Sequence, residues 1–261
     1  MIHKTTFKDL IDIDVVILCG GFGTRLRPII YDKPKVLAKI GDSTFLDILI
    51  NNISLYGFKN IILCIGHLKD HIKKHFDHYC NDRHSYYQYN CNDRHSYYQH
   101  NCNITLSEEE EPLGTGGALK NAELLIKSNP FIVMNGDSIC NVDFREFLNF
   151  HMYKRDLLSM VLTKSLTSKD YGTVVLDNSL RIVSFSEKPI DDNETLINAG
   201  IYLMKKDVFS YMPIQKTFSL EQDLFPKLCN DKCHGFITEG EVIDIGTPER
   251  YEKAVRLIGG I

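Results

Sequence analysis

The chain contains no apolar run approaching the roughly 20 residues that cross a bilayer, so no membrane-spanning helix is expected. It has no excess of positive charge: 30 Lys and Arg stand against 34 Asp and Glu, a formal net charge of −4. General attraction for nucleic acid is thereby excluded, and an anionic ligand would need positive charge gathered locally. The opening residues, MIHKTTFKDLIDID, are too acidic and too broken for a secretory leader, so a cytosolic protein is expected. Eight cysteines are present, yet they do not resemble a disulfide framework. Cys19 and Cys64 close apolar runs, where a buried thiol acts as a small hydrophobe.

What is there belongs to an ordinary globule. Apolar residues make up 43% and charged residues 25%, which excludes a disordered tail. The 261 residues suit one large α/β domain or two small ones. VVILC (15–19), NIILCI (60–65) and PFIVMN (130–135) read as strands buried on both faces of a parallel sheet. Between them TFLDILINNISLYG has helical spacing and stops at Gly57. LKDHIKKHF sets Leu68, Ile72 and Phe76 on one helical face, and ALKNAELLI after Gly117 is again helical. This alternation predicts a doubly wound α/β fold, with a nucleotide-binding half over about 1–140.

The second half, about 141–261, changes character. LLSMVLT, YGTVVLD, RIVSFSEKP and LINAGIYLM are strands separated by turns, which suggests a mixed sheet laid against the first. Thr247-Pro248-Glu249 opens a last helix with a capping hydroxyl, a first-turn proline and an acid at the positive dipole end. Its buried stripe is Tyr251, Ala254, Val255 and Ile258.

One segment fits neither half. CNDRHSYYQYN (80–90) is followed by CNDRHSYYQHN (91–101), a tandem copy differing only at Tyr89 and His100. Cys80, Cys91, Cys102, His84, His95 and His100 are zinc-ligand types, but the spacing lacks the CxxC knuckle. A duplicated surface insertion, dispensable for chemistry, explains the regularity.

The chemistry is expected where LCGGFGTRLRPIIYDKPK (18–35) follows the first strand, at a carboxyl end of the sheet. The dinucleotide fingerprint would need a glycine where Leu26 stands, and a P-loop would need a closing Lys-Ser/Thr pair. Instead Gly20, Gly21 and Gly23 allow backbone N–H groups close to phosphate oxygens, and Arg25 and Lys35 add charge. Such a loop suits a triphosphate better than one phosphate ester.

LCGGFGTRLRP…PK resembles the signature of the sugar-1-phosphate nucleotidylyltransferases. The resemblance continues through EPLGTGGAL (111–119), MNGDS (134–138), YGTV (171–174), SEKP (186–189), NAGIY (198–202), FSLEQDLFP (218–226) and IDIGTPERY (243–251). These blocks occur in family order over nearly the whole chain. The short mannose-1-phosphate and D-glycero-D-manno-heptose-1-phosphate guanylyltransferases look most similar. The resemblance implies a Rossmann-like, doubly wound mixed sheet of the GT-A-like type, with a small added β region and no C-terminal β-helix. It also implies a reaction in which a nucleoside triphosphate and a sugar 1-phosphate give a nucleotide sugar and pyrophosphate.

The resemblance assigns roles. Arg25 would hold the triphosphate and Lys35 the α-phosphate, with Lys33 as a rival because Val36 replaces the usual second proline. Asp137 and Asp244 would bind Mg²⁺, which takes one or two carboxylates beside phosphate oxygens. Leu18, Gly20, Gly21, Gly23, Thr24, Pro112, Gly114 and Gly116 would surround the nucleotide, with Glu111 accepting from the donor edge of guanine. Lys188 would grip the sugar phosphate, while Tyr171, Gly172, Glu187, Asn198 and Gly200 form the sugar pocket. The run EEEE (108–111) otherwise reads as a solvated strand end. No general base is required, because the attacking phosphate oxygen is already anionic.

GTP is favoured; uridylyl or thymidylyl transfer to glucose or N-acetylglucosamine 1-phosphate is the rival. A non-catalytic regulatory subunit should lack some of Arg25, Lys35, Asp137, Lys188 and Asp244, and all five are present. Neither nucleic acid nor membrane is expected as a partner, and homo-oligomerisation is left open.

Overall fold

The computed structural model describes residues 10–77, 88–90, 102–165, 171–187 and 195–259. Its fourteen strands are β1 (Asp14–Leu18), β2 (Lys39–Ile40), β3 (Ser43–Thr44), β4 (Asn60–Ile65), β5 (Gln88–Asn90), β6 (Asn103–Glu108), β7 (Phe131–Asn135), β8 (Ser138–Cys140), β9 (Leu158–Ser165), β10 (Thr173–Leu176), β11 (Ile182–Ser186), β12 (Thr195–Met204), β13 (Cys233–Thr238) and β14 (Val242–Asp244). Ten of them form one sheet in the order β11-β10-β12-β7-β1-β4-β6-β5, with β9 pairing both β12 and β13.

The centre of the sheet is parallel. β1 lies between β4 and β7, in register Val16 to Ile62 and Val16 to Val133. Alternation explains why these strands read as unbroken apolar runs. Val15, Ile17, Ile61, Leu63, Ile132 and Met134 enter one core, and Val16, Ile62, Phe131 and Val133 enter the other.

Helices Phe45–Leu55, Lys69–Asp77 and Phe144–Lys154 cover the first face. Helices Gly114–Asn121 and Phe225–Leu228 cover the second. The first of these helices starts at Thr44, whose hydroxyl and backbone are reciprocally bonded to Asp47 in a capping box. Thr247 caps Pro248–Ile258. That helix buries Ala254 and half-buries Tyr251, Val255 and Ile258 against Ala38, Ile40 and Phe45.

Four expectations change. The second-half strands do not form a sheet laid against the first; β12 pairs antiparallel with β7, Tyr202 to Val133, and extends the same sheet. The physical reason is that β12 spans Thr195–Met204 and is long enough to pair with β10 along its start and β7 along its end. The helix after Gly117 instead begins at Gly114 and stops at Asn121. Leu68 precedes its helix with φ 57, a left-handed turn residue and not part of the apolar face. The tandem repeat is not wholly apart from the sheet, because Gln88–Asn90 pairs antiparallel with Asn103–Thr105 as the edge strand. The remaining repeat residues, including Cys80, Cys91, His84, His95 and His100, lie outside the described residues.

Candidate active site

The glycine loop leaves β1 at its carboxyl end and folds over the sheet. A Cβ on Gly20 would stand 2.5 Å from Glu109 Oε1, so the loop passes close to that carboxylate and any side chain here would displace it. Gly21 has nothing within 4 Å of such a Cβ and opens into free space. Gly23 has φ 58 and turns the chain into the short helical turn Thr24–Leu26. Accordingly Leu18, Gly20 and Gly21 line a cavity of about 270 Å³, with Pro112 and Gly114 on its far side. Gly23 and Thr24 shape the turn but do not line that cavity.

The far wall carries Glu109 in place of Glu111. Glu111 is exposed and its carboxylate pairs with Lys216 at 2.6 Å, outside the cavity. Gly116 is not a base platform either: a Cβ there would lie 2.2 Å from the Phe218 ring, so the glycine serves helix packing. Besides Asp137, the carboxylate that lines the cavity is Glu109, only 6% exposed. Its Oε2 accepts from the Leu113 backbone N–H at 3.1 Å, while its Oε1 is buried without a partner among the described residues. Burial raises the Glu109 pKa above the usual carboxylate value, against the opposing pull of the Leu113 N–H and Lys69.

Sequence reasoning passed over Glu109 because it sits inside EEEE. The available signal was position: it follows β6 directly, at the sheet edge where open α/β folds bind ligands. Its acidic neighbours are neutralised, since Glu108 pairs with Lys73 at 2.5 Å and Lys69 at 3.3 Å.

A second cavity of about 470 Å³ adjoins the first and brings together Tyr171, Gly172, Glu187, Asn198 and Gly200 in its lining. The irregularity of β12 between Asn198 and Tyr202 builds it. Gly200 has φ 74, its N–H donates to Asn198 Oδ1 at 2.9 Å, and Asn198 Nδ2 donates to the Tyr202 hydroxyl at 2.7 Å. A side chain at Gly200 would meet Asn135 Nδ2 at 2.7 Å. Arg25, Arg250, Thr115 and Glu221 also reach this cavity, the last three unforeseen. Lys188 lies outside the described residues.

The two cavities share Gly114, Thr115, Asn135 and Asp137. The antiparallel pair of β8 and β14, with Asp244 opposite Ser138, brings two distant aspartates to this junction. Asp137 receives the Lys35 ammonium as an ion pair. Asp244 accepts from the Gly246 N–H at 2.7 Å, from the Tyr171 hydroxyl, and from Arg250 Nη1 at 3.4 Å. Arg250 also sits 4.6 Å from the centre of the Tyr171 ring. A Cβ on Gly246 would approach Asp244 Oδ1 at 2.8 Å and Arg25 Nη2 at 3.9 Å, which places Arg25 beside Asp244.

The donor set fits a hard divalent cation. Asp137 and Asp244 offer oxygen only, beside a cavity with room for phosphate, and no cluster of three or more metal-ligand side chains exists among the described residues. Magnesium is held in this way, by one or two carboxylates plus phosphate oxygens and water. The described cysteines supply no alternative: six are free, and burial raises the pKa of Cys19, Cys64 and Cys140.

Residues 14–259 match the family model described as nucleotidyl transferase. The chain belongs to the nucleotidyl transferase family. It is 33% identical over 240 residues to the D-glycero-alpha-D-manno-heptose 1-phosphate guanylyltransferase of Campylobacter jejuni, covering 92% of this chain and 97% of that one. It is 34% identical over 245 residues to the mannose-1-phosphate guanyltransferase of Aspergillus oryzae, covering 90% of this chain but only 61% of that protein's length. Among solved structures, HddC from Yersinia pseudotuberculosis complexed with GMP-PN superposes with a TM-score of 0.78 at 32% identity, covering 94% of this chain and 99% of that one. This nucleotidyl transferase therefore carries the GT-A-like architecture that its motifs implied, and among its described residues no helix is long and apolar enough to cross a membrane.

Proposed function

We propose that this nucleotidyl transferase moves a guanylyl group from GTP to a manno-configured hexose or heptose 1-phosphate. The observation that carries the reading is the shared wall: a glycine-looped cavity and a polar, carboxylate-rich cavity open onto the same Asp137. The sugar-phosphate oxygen attacks the α-phosphorus of GTP. The bond from that phosphorus to the bridging oxygen breaks, and pyrophosphate leaves with the electron pair. Such a displacement depends on positioning and charge neutralisation.

Each residue then has a task. Gly20 and Gly21 let backbone approach the nucleotide, and Arg25 draws the triphosphate toward the junction. Lys35 transfers its charge from Asp137 to the α-phosphate. Asp137 and Asp244 would hold magnesium, which when bound screens the repulsion between two phosphorylated substrates. Lys188 takes the sugar phosphate, an assignment that rests on its SEKP block. Glu109 supports GTP over other triphosphates: its carboxylate can accept the adjacent N1–H and N2–H of guanine, whereas uracil presents only one donor between two acceptors. The names of the relatives above agree with this choice. We place the reaction in the cytosol, where triphosphates and sugar phosphates are held.

The test is pyrophosphate release from a panel of triphosphates and sugar 1-phosphates. GTP with mannose or heptose 1-phosphate should turn over fastest. Preference for UTP or dTTP with glucose 1-phosphate would overturn the assignment.

A further inference from the structure

The acidic run that follows β6 is held by a lysine that lines neither cavity. The left-handed turn at Leu68 makes Lys69 the first residue of the helix Lys69–Asp77. Its ammonium donates to the Glu109 backbone carbonyl at 3.1 Å, and it stands 3.3 Å from Glu108 Oε2 and 3.6 Å from Glu110 Oε1. Three consecutive glutamates therefore meet on one cation. Lys73, one turn further on, pairs with Glu108.

Glu109 has need of such a neighbour. It is buried, and its Oε1 has no hydrogen-bond partner among the described residues. Gly66, just after β4, closes on the other oxygen: a Cβ there would lie 3.2 Å from Oε2. Burial favours the protonated acid, while the Leu113 N–H and the charge of Lys69 oppose it. A protonated carboxyl turns one acceptor into a donor, and it can no longer accept both N1–H and N2–H of guanine. The other groups around Glu109 give no help. The Cys19 and Cys64 thiols, at the ends of β1 and β4, are kept neutral by burial. Lys35 and Asp137, which line the same cavity, neutralise each other. Glu108 and Glu110 add negative charge on either side.

We infer that Lys69 sets the base preference without touching the nucleotide, clasping the Glu108–Glu110 strand end and placing its positive charge beside the Glu109 carboxylate. The inference rests on the guanine reading above and adds to it what keeps that reading in force. Lys69 reaches no reacting atom, so it acts as a positioning residue.

Lys69→Met removes the charge and keeps most of the stem. KM for GTP should rise about 10-fold at about pH 7, the scale expected when a carboxylate loses a nearby opposite charge. Without Lys69 the Glu109 carboxyl holds its proton to higher pH, so the deficit should shrink to about twofold at about pH 8.5. The ratio of kcat/KM for GTP over UTP should fall about 10-fold at neutral pH, because uracil has no second donor to lose. KM for mannose 1-phosphate and kcat should stay level. Lys69→Arg should restore the original profile. Lys73→Met, which removes the other lysine on Glu108, should leave KM for GTP unchanged.

A GTP KM that rises equally at both pH values would mean that Lys69 shapes the loop and lends Glu109 no charge. An unchanged KM at both would mean that it does neither. Each result overturns the inference and leaves the guanine reading intact. Should Glu109→Gln leave KM for GTP unmoved, the guanine reading falls and the inference falls with it.

Discussion

In the proposed reading, the two cavities meet different recognition problems with different materials. The cavity proposed for the nucleotide is walled by Leu18, Cys19, Val36, Leu113 and Ala118, and one carboxylate, Glu109, keeps an oxygen without a partner among the described residues in that setting. The cavity proposed for the sugar is walled by Glu187, Glu221, Asp244, Asn198 and two arginines, with Asp244 bonded to Arg250 and Glu187, Glu221 and Asn198 each bonded to a neighbouring side chain. A flat base can be read by shape plus one strong acceptor in a dry slot. A ring bearing several hydroxyls needs many prearranged groups, and keeping them in place requires a network.

The sheet mirrors this division. Parallel β1, β4 and β7 deliver loops at their carboxyl ends, whereas antiparallel β9, β10, β11 and β12 present side chains along their length.

Removing the junction should have the largest effect, because both sides depend on it. Asp137→Asn should lower kcat at least about 100-fold, the scale of losing one electrostatic stabiliser of a transition state. Near-normal turnover would remove Asp137 from the chemistry. Next comes the base slot: Glu109→Gln should raise KM for GTP about 30-fold, as expected for losing hydrogen bonds to a charged acceptor. Sugar KM should stay constant, and a parallel rise in both constants would show that the two cavities are not read independently.

A smaller effect is expected from the ion pair between Lys35 and Asp137, where the ammonium stands at the carboxylate a cation would use. Lys35→Met should tighten Mn²⁺ binding to nucleotide-free protein about 10-fold, followed by electron paramagnetic resonance. Unchanged Mn²⁺ affinity would mean that the pair does not compete with metal.

The last effect concerns stability and leaves activity unchanged, in the helix Phe144–Lys154. His151 is fully buried, with Nδ1 2.8 Å from Ser159 Oγ. Burial, aided by the charge of Lys205, lowers its pKa to about 4. The unfolded chain, with an imidazole pKa of about 6.5, binds more protons between those values. Stability therefore falls as pH drops from about 6.5 through about 4, by about 3 kcal/mol at the acid end. His151→Asn, which keeps a partner for Ser159, should flatten the pH dependence of the urea midpoint across that window. An unaltered slope would assign the acid sensitivity elsewhere.

Much of the fold was legible because both faces of the central strands are covered, which leaves uninterrupted runs such as NIILCI, observed as Asn60–Ile65. Caps at Thr44 and Thr247 were equally readable, since a side chain bonding its own next turn is local information. Glu109 and Glu111 show where local information fails. They sit two positions apart in one acidic run, yet one is buried against Leu113 and the other is exposed on Lys216. Burial of one and not the other follows from where the glycine loop crosses β6, a contact distant in sequence.

From residue order alone came the strand–helix alternation, the glycine loop with its following charges, and two of the residues at the junction, Gly114 and Asp137, because each is written in local spacing and side-chain type. Tertiary structure alone decided that β12 joins the nucleotide sheet, that Asp244 stands across from Ser138, and which glutamate faces each cavity. Those outcomes depend on pairing between segments far apart along the chain, and no local pattern specifies which partner a strand or a carboxylate will meet.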